Sequence, residues 1–475
     1  MIRTRIKVRR PIRRGLVTVR RAQRRVTREY IPDNIAWIRT RVGRLGTQGP
    51  EGLAPEAARH AGRNFRLGVL NGMMFALVDA LLAPSFVLAL FINRLGGPNV
   101  LVGLAVAVYT GGGLLPQILV AGKVQGRTRV LGWYRRTALI RTLCILVLAI
   151  LTPFLAAYPL AMLAALFVLY GGYSFGAGIS SLPWFELIAK TISPRRRGTF
   201  FSMRNFWGGV LALLSSGLIS AVLSERISGL TFPNNFALLF AISSVVIAIG
   251  FAAMSLLKEP ASTQTSPPFS FAQALRQGAA AYRANRDYHA FMNARVLLGL
   301  ATIADPFYVV FARDVLHAPV ATVGLYLGAS AISSLLSNFL WGPLADRAGN
   351  RTLMVLSVLA TSVVPLSALL IATFAGMLPV DILGTIFSVV FILGGLALGA
   401  SRVVNSNMML SIAPPASRAI YLGFLNTILG LVTFIAVVGG IVVDTLGFTV
   451  LFLLALVLAG TALLASARMS QGRAY

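Results

Sequence analysis

The chain has 475 residues, 56% of them hydrophobic and only 12% charged, with a mean hydropathy of +0.77. An ordinary soluble domain carries about a quarter charged residues, so this composition excludes a soluble enzyme and a disordered chain alike. Lys and Arg number 43 against 14 Asp and Glu, a formal charge of +29, but 18 of the 43 fall within residues 1–66 and most others sit between long apolar runs. That distribution describes a polytopic membrane protein with a basic arm. The single cysteine, Cys144, lies inside an apolar run, which excludes a disulfide framework and any cysteine-based metal site.

The arm, residues 1–66, begins with Arg3, Arg5, Lys7 and Arg9 alternating with Ile2, Ile6 and Val8. Its leading reading is a disordered tail held against anionic lipid, at about 1 kcal/mol per basic residue near the surface. Nucleic-acid binding is not expected, because interleaved aromatics are missing; an organellar targeting peptide is the remaining reading. No early apolar segment is present, so no cleaved secretory signal is expected.

A helix crossing the hydrocarbon core needs about 20 mostly apolar residues. Twelve runs qualify: spans 1 to 12 at roughly 67–92, 100–121, 137–157, 160–182, 199–223, 235–257, 289–311, 320–341, 353–375, 380–402, 420–443 and 447–467. All read as helices, since a membrane β-barrel would show short alternating segments. The expected fold class is an all-α polytopic membrane protein with twelve transmembrane helices in two pseudo-symmetric six-helix halves. The parts are the arm (1–66), a first half (67–257), a linker (258–288) holding Pro260, Pro267 and Pro268, a second half (289–467) and a tail (468–475).

Charge sets the sidedness. The connections on one face hold only Arg94, Arg226 and Arg313 as basic residues, whereas the other face carries the arm, Lys123, Arg135, Lys190, Arg195 to Arg197, Arg347, Arg351 and more. Both termini are therefore expected in the cytoplasm, with the protein in the plasma (inner) membrane.

The halves repeat at an offset of 221 residues: Pro98, Val102-Gly103-Leu104 and Ala107 face Pro319, Val323-Gly324-Leu325 and Gly328. At the same shift Pro194, Arg197, Phe200 and Asn205 face Pro415, Arg418, Tyr421 and Asn426, and Gly178 faces Gly399. Since the two copies are six spans apart, the repeat is parallel, with its axis along the membrane normal.

Two six-helix halves, a central linker and the run Gly342-Pro343-Leu344-Ala345-Asp346-Arg347-Ala348-Gly349-Asn350-Arg351 after span 8 resemble the major facilitator superfamily. The run is similar to that family's G-x-L-A-D-R-x-G-R-[KR] signature, with Asn350 at one basic position. The copy usual after span 2 reads Gly122-Lys123-Val124-Gln125-Gly126-Arg127 and lacks the acid, and span 5 lacks the G-P-x-x-G-G mark of the drug antiporters. The resemblance implies a cytoplasmic gate in which Asp346 faces the start of span 5, Arg347 and Arg351 hold the stretch, and Gly342 and Gly349 allow close approach.

Ionisable groups inside a bilayer are costly and call for a reason. Asp79 lies near the middle of span 1 with no basic neighbour in sequence, so its charging is unfavourable and reversible protonation suits it; a neutral Asp bonded to another helix is the alternative. Asn71, two turns earlier, is expected to line the same cavity. In span 7, Arg295 and Asp305 are about 15 Å apart along the axis and do not pair with each other. Arg295 either partners an acid elsewhere or snorkels to the surface, and Asp305-Pro306 marks either a break at a substrate site or a plain helix end. Glu186, Lys190 and Arg204 cluster at the inner ends of spans 4 and 5, as a cytoplasmic gate network or an interfacial salt bridge. Tyr170, Tyr173 and Trp184 line a cavity or pack the core.

The histidines are scattered, and no catalytic constellation, metal site or nucleotide-binding motif is visible, so no enzyme activity and no cofactor are expected. The expected function is secondary active transport of a small solute by alternating access, coupled to protons. The alternatives are an uncoupled facilitator, a membrane enzyme, a lipid scramblase or a non-transporting sensor.

Overall fold

The computed structural model describes residue 53 and residues 55–469, apart from 126, 194–195, 226–228, 262–269, 378 and 414–417. Twelve of the described helices are long and apolar enough to cross a membrane: Ala61–Arg94, Asn99–Gln117, Leu131–Leu155, Pro159–Thr191, Arg197–Leu223, Asn234–Ser255, Arg286–Asp314, Thr322–Trp341, Arg351–Met377, Ile382–Asn405, Ile420–Leu446 and Phe448–Ala467. They are spans 1 to 12 in order. Spans 3 and 4 divide where Tyr158-Pro159 predicts, with Pro159 in the first helical turn, where its missing N–H costs nothing. The ends that meet the linker define the linker face; the other end of the bundle is the far face.

One expectation about boundaries is corrected, and two connecting segments are helical. Residues 55–66 are not part of an unstructured arm: Pro55–Arg59 is helical and span 1 begins at Ala61. Contacts with the end of span 6 hold this extension. Asn64 is fully buried and exchanges hydrogen bonds with the Lys258 backbone, and Arg63 donates to the Leu256 carbonyl. The expectation for residues 1–52 lies outside the described residues. The linker is not wholly irregular, because Phe271–Ala284 forms a helix closed by a Ser270–Gln273 capping box. Finally, the helix that begins span 8 continues unbroken from Thr322 to Phe374, so the signature run is helical.

Proline interrupts the first helix of each half. In span 1 the α-helix stops at Leu81, a π-turn covers Pro84–Leu88, and Ala89–Arg94 resumes as α-helix. In span 7, Thr302–Phe307 forms a 3-10 turn around Pro306 before Tyr308–Asp314. Proline removes an N–H and crowds the preceding turn, which leaves carbonyls needing donors in a medium without water. Tyr170 supplies one, donating its hydroxyl to the Leu82 carbonyl at 3.2 Å. The two interrupted segments also pack against each other across the halves.

The sequence repeat reappears as contacts. Span 2 meets span 4 where a side chain at Gly178 would strike the Gly112 carbonyl and Pro116; span 8 meets span 10 where one at Gly399 would strike Ser337 and approach the Ser334 carbonyl. Between the halves, Gly103 of span 2 lies against the Ala436 carbonyl of span 11, and Gly324 of span 8 lies against the Ser216 carbonyl of span 5. Small residues permit this backbone approach. Gly103→Val or Gly324→Val is expected to open the far face, seen as faster labelling of Thr322→Cys in a Cys144→Ala background; an unchanged rate would mean that the contact is incidental.

Candidate functional site

Span 1 carries Asp79 one turn before its break, and the side chain is exposed although groups from five other spans surround it. The Tyr109 hydroxyl of span 2 donates to its Oδ1 at 2.7 Å. Arg141 of span 3, Arg204 of span 5 and Arg402 of span 10 all act on it electrostatically. Arg402 belongs to the second half and is exposed as well. A side chain that is accessible and yet enclosed by both halves opens onto the space between them, so Asp79 and Arg402 face one interior cavity.

Aromatic rings form the wall behind the carboxylate. Tyr109 stacks on Tyr170 at 6.0 Å, and Tyr170 on Tyr173 at 6.0 Å. Arg141 lies over Tyr173 at 4.5 Å, Phe75 at 5.0 Å and Phe251 at 5.2 Å, a cation–π cage that compensates a guanidinium 7% exposed. Tyr170 and Tyr173 are each 1% exposed, so they pack the core of the first half.

Asn71 is corrected. It is 1% exposed and does not line the cavity, because neighbouring spans take up its amide. Its Nδ2 donates to the Gly250 carbonyl at 2.8 Å and the Tyr134 hydroxyl at 3.1 Å, and its Oδ1 accepts from Trp184 Nε1 at 3.2 Å. Arg204 does not join Glu186 and Lys190 at the gate. It runs over Gly72, where any side chain would collide with it, and stacks on Trp184 at 4.5 Å beneath Asp79.

Arg295 donates Nη1 to Ser401 Oγ at 2.7 Å. Arg141 donates to Ser180 Oγ at 3.4 Å. Ser180 and Ser401 are the same position in the repeat, so each half sets one arginine on a matched serine beside the cavity. Asp305 is exposed within the span 7 break, and Tyr308 lies next to its charge. The structure does not bring Asp305 into hydrogen bond with Asp79 or Arg295.

At the linker face, Lys190 bonds Glu259 at 3.0 Å and the Thr128 carbonyl at 3.0 Å, with Glu186 farther off at 3.6 Å. Arg351 is half-buried at the start of span 9. The side chains of Gly342, Asp346, Arg347 and Gly349 lie outside the described residues.

Solved transporters share this architecture. A mutant form of the nucleoside transporter NupG aligns at 18% identity and TM-score 0.62, over 85% of this chain and 98% of that one. A D-xylose-proton symporter aligns at 16% identity and TM-score 0.63, over 86% and 98%, and an inward-facing bacterial homologue of the iron transporter ferroportin at 15% and 0.63, over 86% and 98%. No curated protein matches the sequence. The Major Facilitator Superfamily profile matches residues 291–470. The second half thus carries a sequence match to that superfamily, and the chain shares the fold of these solved transporters. Its twelve apolar helices make it a multi-pass membrane protein with the fold of these transporters.

Sequence reasoning missed Arg141, Arg402, Glu259 and Asp444. The criterion that isolates Asp79 reaches the first two as well, but both lie near the ends of the predicted spans 137–157 and 380–402. The last two act through contacts with segments more than a hundred residues away, which sequence spacing does not reveal.

Proposed function

We propose that the protein is a secondary transporter that moves a small solute by alternating access, with Asp79 binding and releasing the coupling proton. The observation that carries this reading is the accessible carboxyl of Asp79 within span 1, bonded to Tyr109 and facing guanidinium groups of both halves. Its charge changes the balance between the halves, so protonation on one side of the membrane and release on the other biases their rocking. The linker face would lie in the cytoplasm of the plasma membrane, as the basic connections indicate, and the arm would hold anionic lipid there.

Reconstitution tests the reading. A solute panel is screened for uptake into proteoliposomes with and without an imposed pH gradient. The wild type is expected to accumulate its solute above equilibrium only with the gradient. Asp79→Asn is expected to lose that accumulation while still equilibrating the solute. If Asp79→Asn keeps gradient-driven accumulation, coupling resides elsewhere; if the wild type equilibrates its solute regardless of pH, the protein is a facilitator.

A further inference from the structure

Among the described residues four arginines inside the spans, Arg141, Arg204, Arg295 and Arg402, outnumber the two carboxylates there, Asp79 and Asp305, and this bears on what the cavity holds. Three guanidinium groups, Arg141, Arg204 and Arg402, act on the one carboxylate of Asp79. Arg295 adds a fourth beside Ser401, the residue next to Arg402. Among the described residues the salt bridges are Arg94–Glu225, Lys190–Glu186 and Lys190–Glu259, all at the ends of spans, so Arg141, Arg204 and Arg295 have no carboxylate within 4.0 Å. The Nε atoms of Arg141, Arg204 and Arg295 are buried and make no hydrogen bond. An excess cation between apolar helices is costly unless a counter-charge reaches it. A cleft of one sign between low-dielectric walls also concentrates ions of the other.

Arg141 is held in its aromatic cage and on Ser180. Arg204 and Arg402 stand on opposite halves and share Asp79 as an acidic neighbour. A guanidinium presents a planar fork suited to two oxygens of one anion. We infer that the solute is an oxyanion, a carboxylate or a phosphate group, held between Arg204 of the first half and Arg402 of the second. This rests on the transporter reading and names its substrate class. Such an anion binds more tightly when the halves approach around it, which is the differential affinity that alternating access requires. It competes with the Asp79 carboxylate for the same guanidinium groups, so a protonated Asp79 admits the anion and an ionised one expels it. Tyr109, Arg141, Tyr170, Tyr173, Arg204 and Arg402 are the groups that face Asp79 in this exchange.

The test uses the full chain in nanodiscs, with Trp184 fluorescence and thermal unfolding as readouts. Benzoate, succinate and inorganic phosphate are compared with neutral benzamide and cationic benzylammonium at constant ionic strength. At least one anion is expected to shift both signals, more strongly at lower pH, whereas benzamide and benzylammonium do not. Arg204→Gln and Arg402→Gln are each expected to weaken that binding at least about tenfold, as loss of a charge-assisted hydrogen bond does. Arg402→Lys, which keeps the charge, is expected to restore part of it with no change in the ligand-free melting temperature. Benzoate and succinate against phosphate separates a carboxylate from a phosphate source.

The inference is overturned if no anion binds, if benzamide binds as well as benzoate, or if both glutamine variants keep wild-type affinity. Cysteines placed one at a time by Ser202→Cys and Thr322→Cys, in a Cys144→Ala background, report alternation independently of any ligand. Alternation without anion binding overturns the substrate class alone. Anion binding without alternation supports the oxyanion site and overturns the transporter reading.

Discussion

Replacing Glu259 by alanine is expected to cost about 3–5 kcal/mol of stability, the usual penalty for removing one partner of a buried ion pair. Its side chain is 2% exposed, and Lys190, its partner at 3.0 Å, is 9% exposed. The carboxylate also accepts from the Val130 N–H at 2.8 and 3.1 Å and the Leu131 N–H at 2.9 Å, the donors that open span 3. One side chain at the end of span 6 therefore caps span 3 and neutralises the end of span 4. Alanine would leave a buried ammonium and two unpaired helix-end donors, each costly without water. Thermal unfolding in nanodiscs checks the loss. Adding Lys190→Met to the alanine variant should recover part of it, since the stranded charge is gone. Glu186→Gln should cost little, because that pair is longer, at 3.6 Å, and Glu186 is 42% exposed. Equal losses from Glu186→Gln and Glu259→Ala would show that the buried geometry is not what matters.

Span number, span order and the repeat were legible in the sequence because each rests on a local, one-dimensional signal. Twenty apolar residues either span or they do not, and Tyr158-Pro159 stops a helix through its own backbone. The offset of 221 residues pairs Gly178 with Gly399 and Gly103 with Gly324, and in the structure each pair makes comparable close contacts. Boundaries were less legible. Span 1 starts earlier than its apolar run because Asn64 is satisfied by Lys258, a residue 194 positions away, and no window along the chain registers that bond.

The site divides the same way. Asp79 stood out because its sequence neighbours are apolar, and the proline at 306 marked the break in span 7. The role of a polar residue, however, depends on which helices turn towards it. Asn71 and Asp79 lie eight residues apart on one helix, yet Tyr134, Trp184 and Gly250 claim the first while the second stays open to the cavity. Arg204 sits close in sequence to the Glu186–Lys190 pair but reaches the interior instead, because Gly72 leaves room for its side chain. Pairings of this kind are set by tertiary packing, which neither charge counting nor hydropathy contains.

Asp444→Asn is expected to shift the protein towards a state open on the far face. Asp444, near the far end of span 11, accepts from the Asn99 backbone N–H at 3.1 Å and Asn99 Nδ2 at 2.8 Å with one oxygen, and from the Val100 N–H at 3.1 Å with the other. Those are first-turn donors of span 2, so a carboxylate of the second half caps a helix of the first. Both the cap hydrogen bonds and the positive end of the helix dipole favour an anion there. Close approach requires Gly440, where an added side chain would collide with Asn99 and Val100. At the related position the repeat offers Leu223, and spans 5 and 8 join instead through a neutral bond from Ser220 to the Ala321 carbonyl at 2.9 Å. The Asp444 latch thus has no counterpart at the related position. When the halves part there, the span 2 donors lose their acceptor to water, so the contact stabilises only the closed state. Asparagine keeps the shape and loses the charge, at roughly 0.5–2 kcal/mol, or about 2- to 30-fold in the open-to-closed ratio. Asn99→Ala removes only the side-chain donor and should shift the ratio less. Distances between spin labels on Ser224→Cys and Val315→Cys, one on each half at the far face, would report both shifts in a Cys144→Ala background. An unchanged distance distribution in Asp444→Asn would mean that the far face is held closed by its other contacts, those of Gly103 and Gly324 and of Asn93 with Arg313 and Asp314.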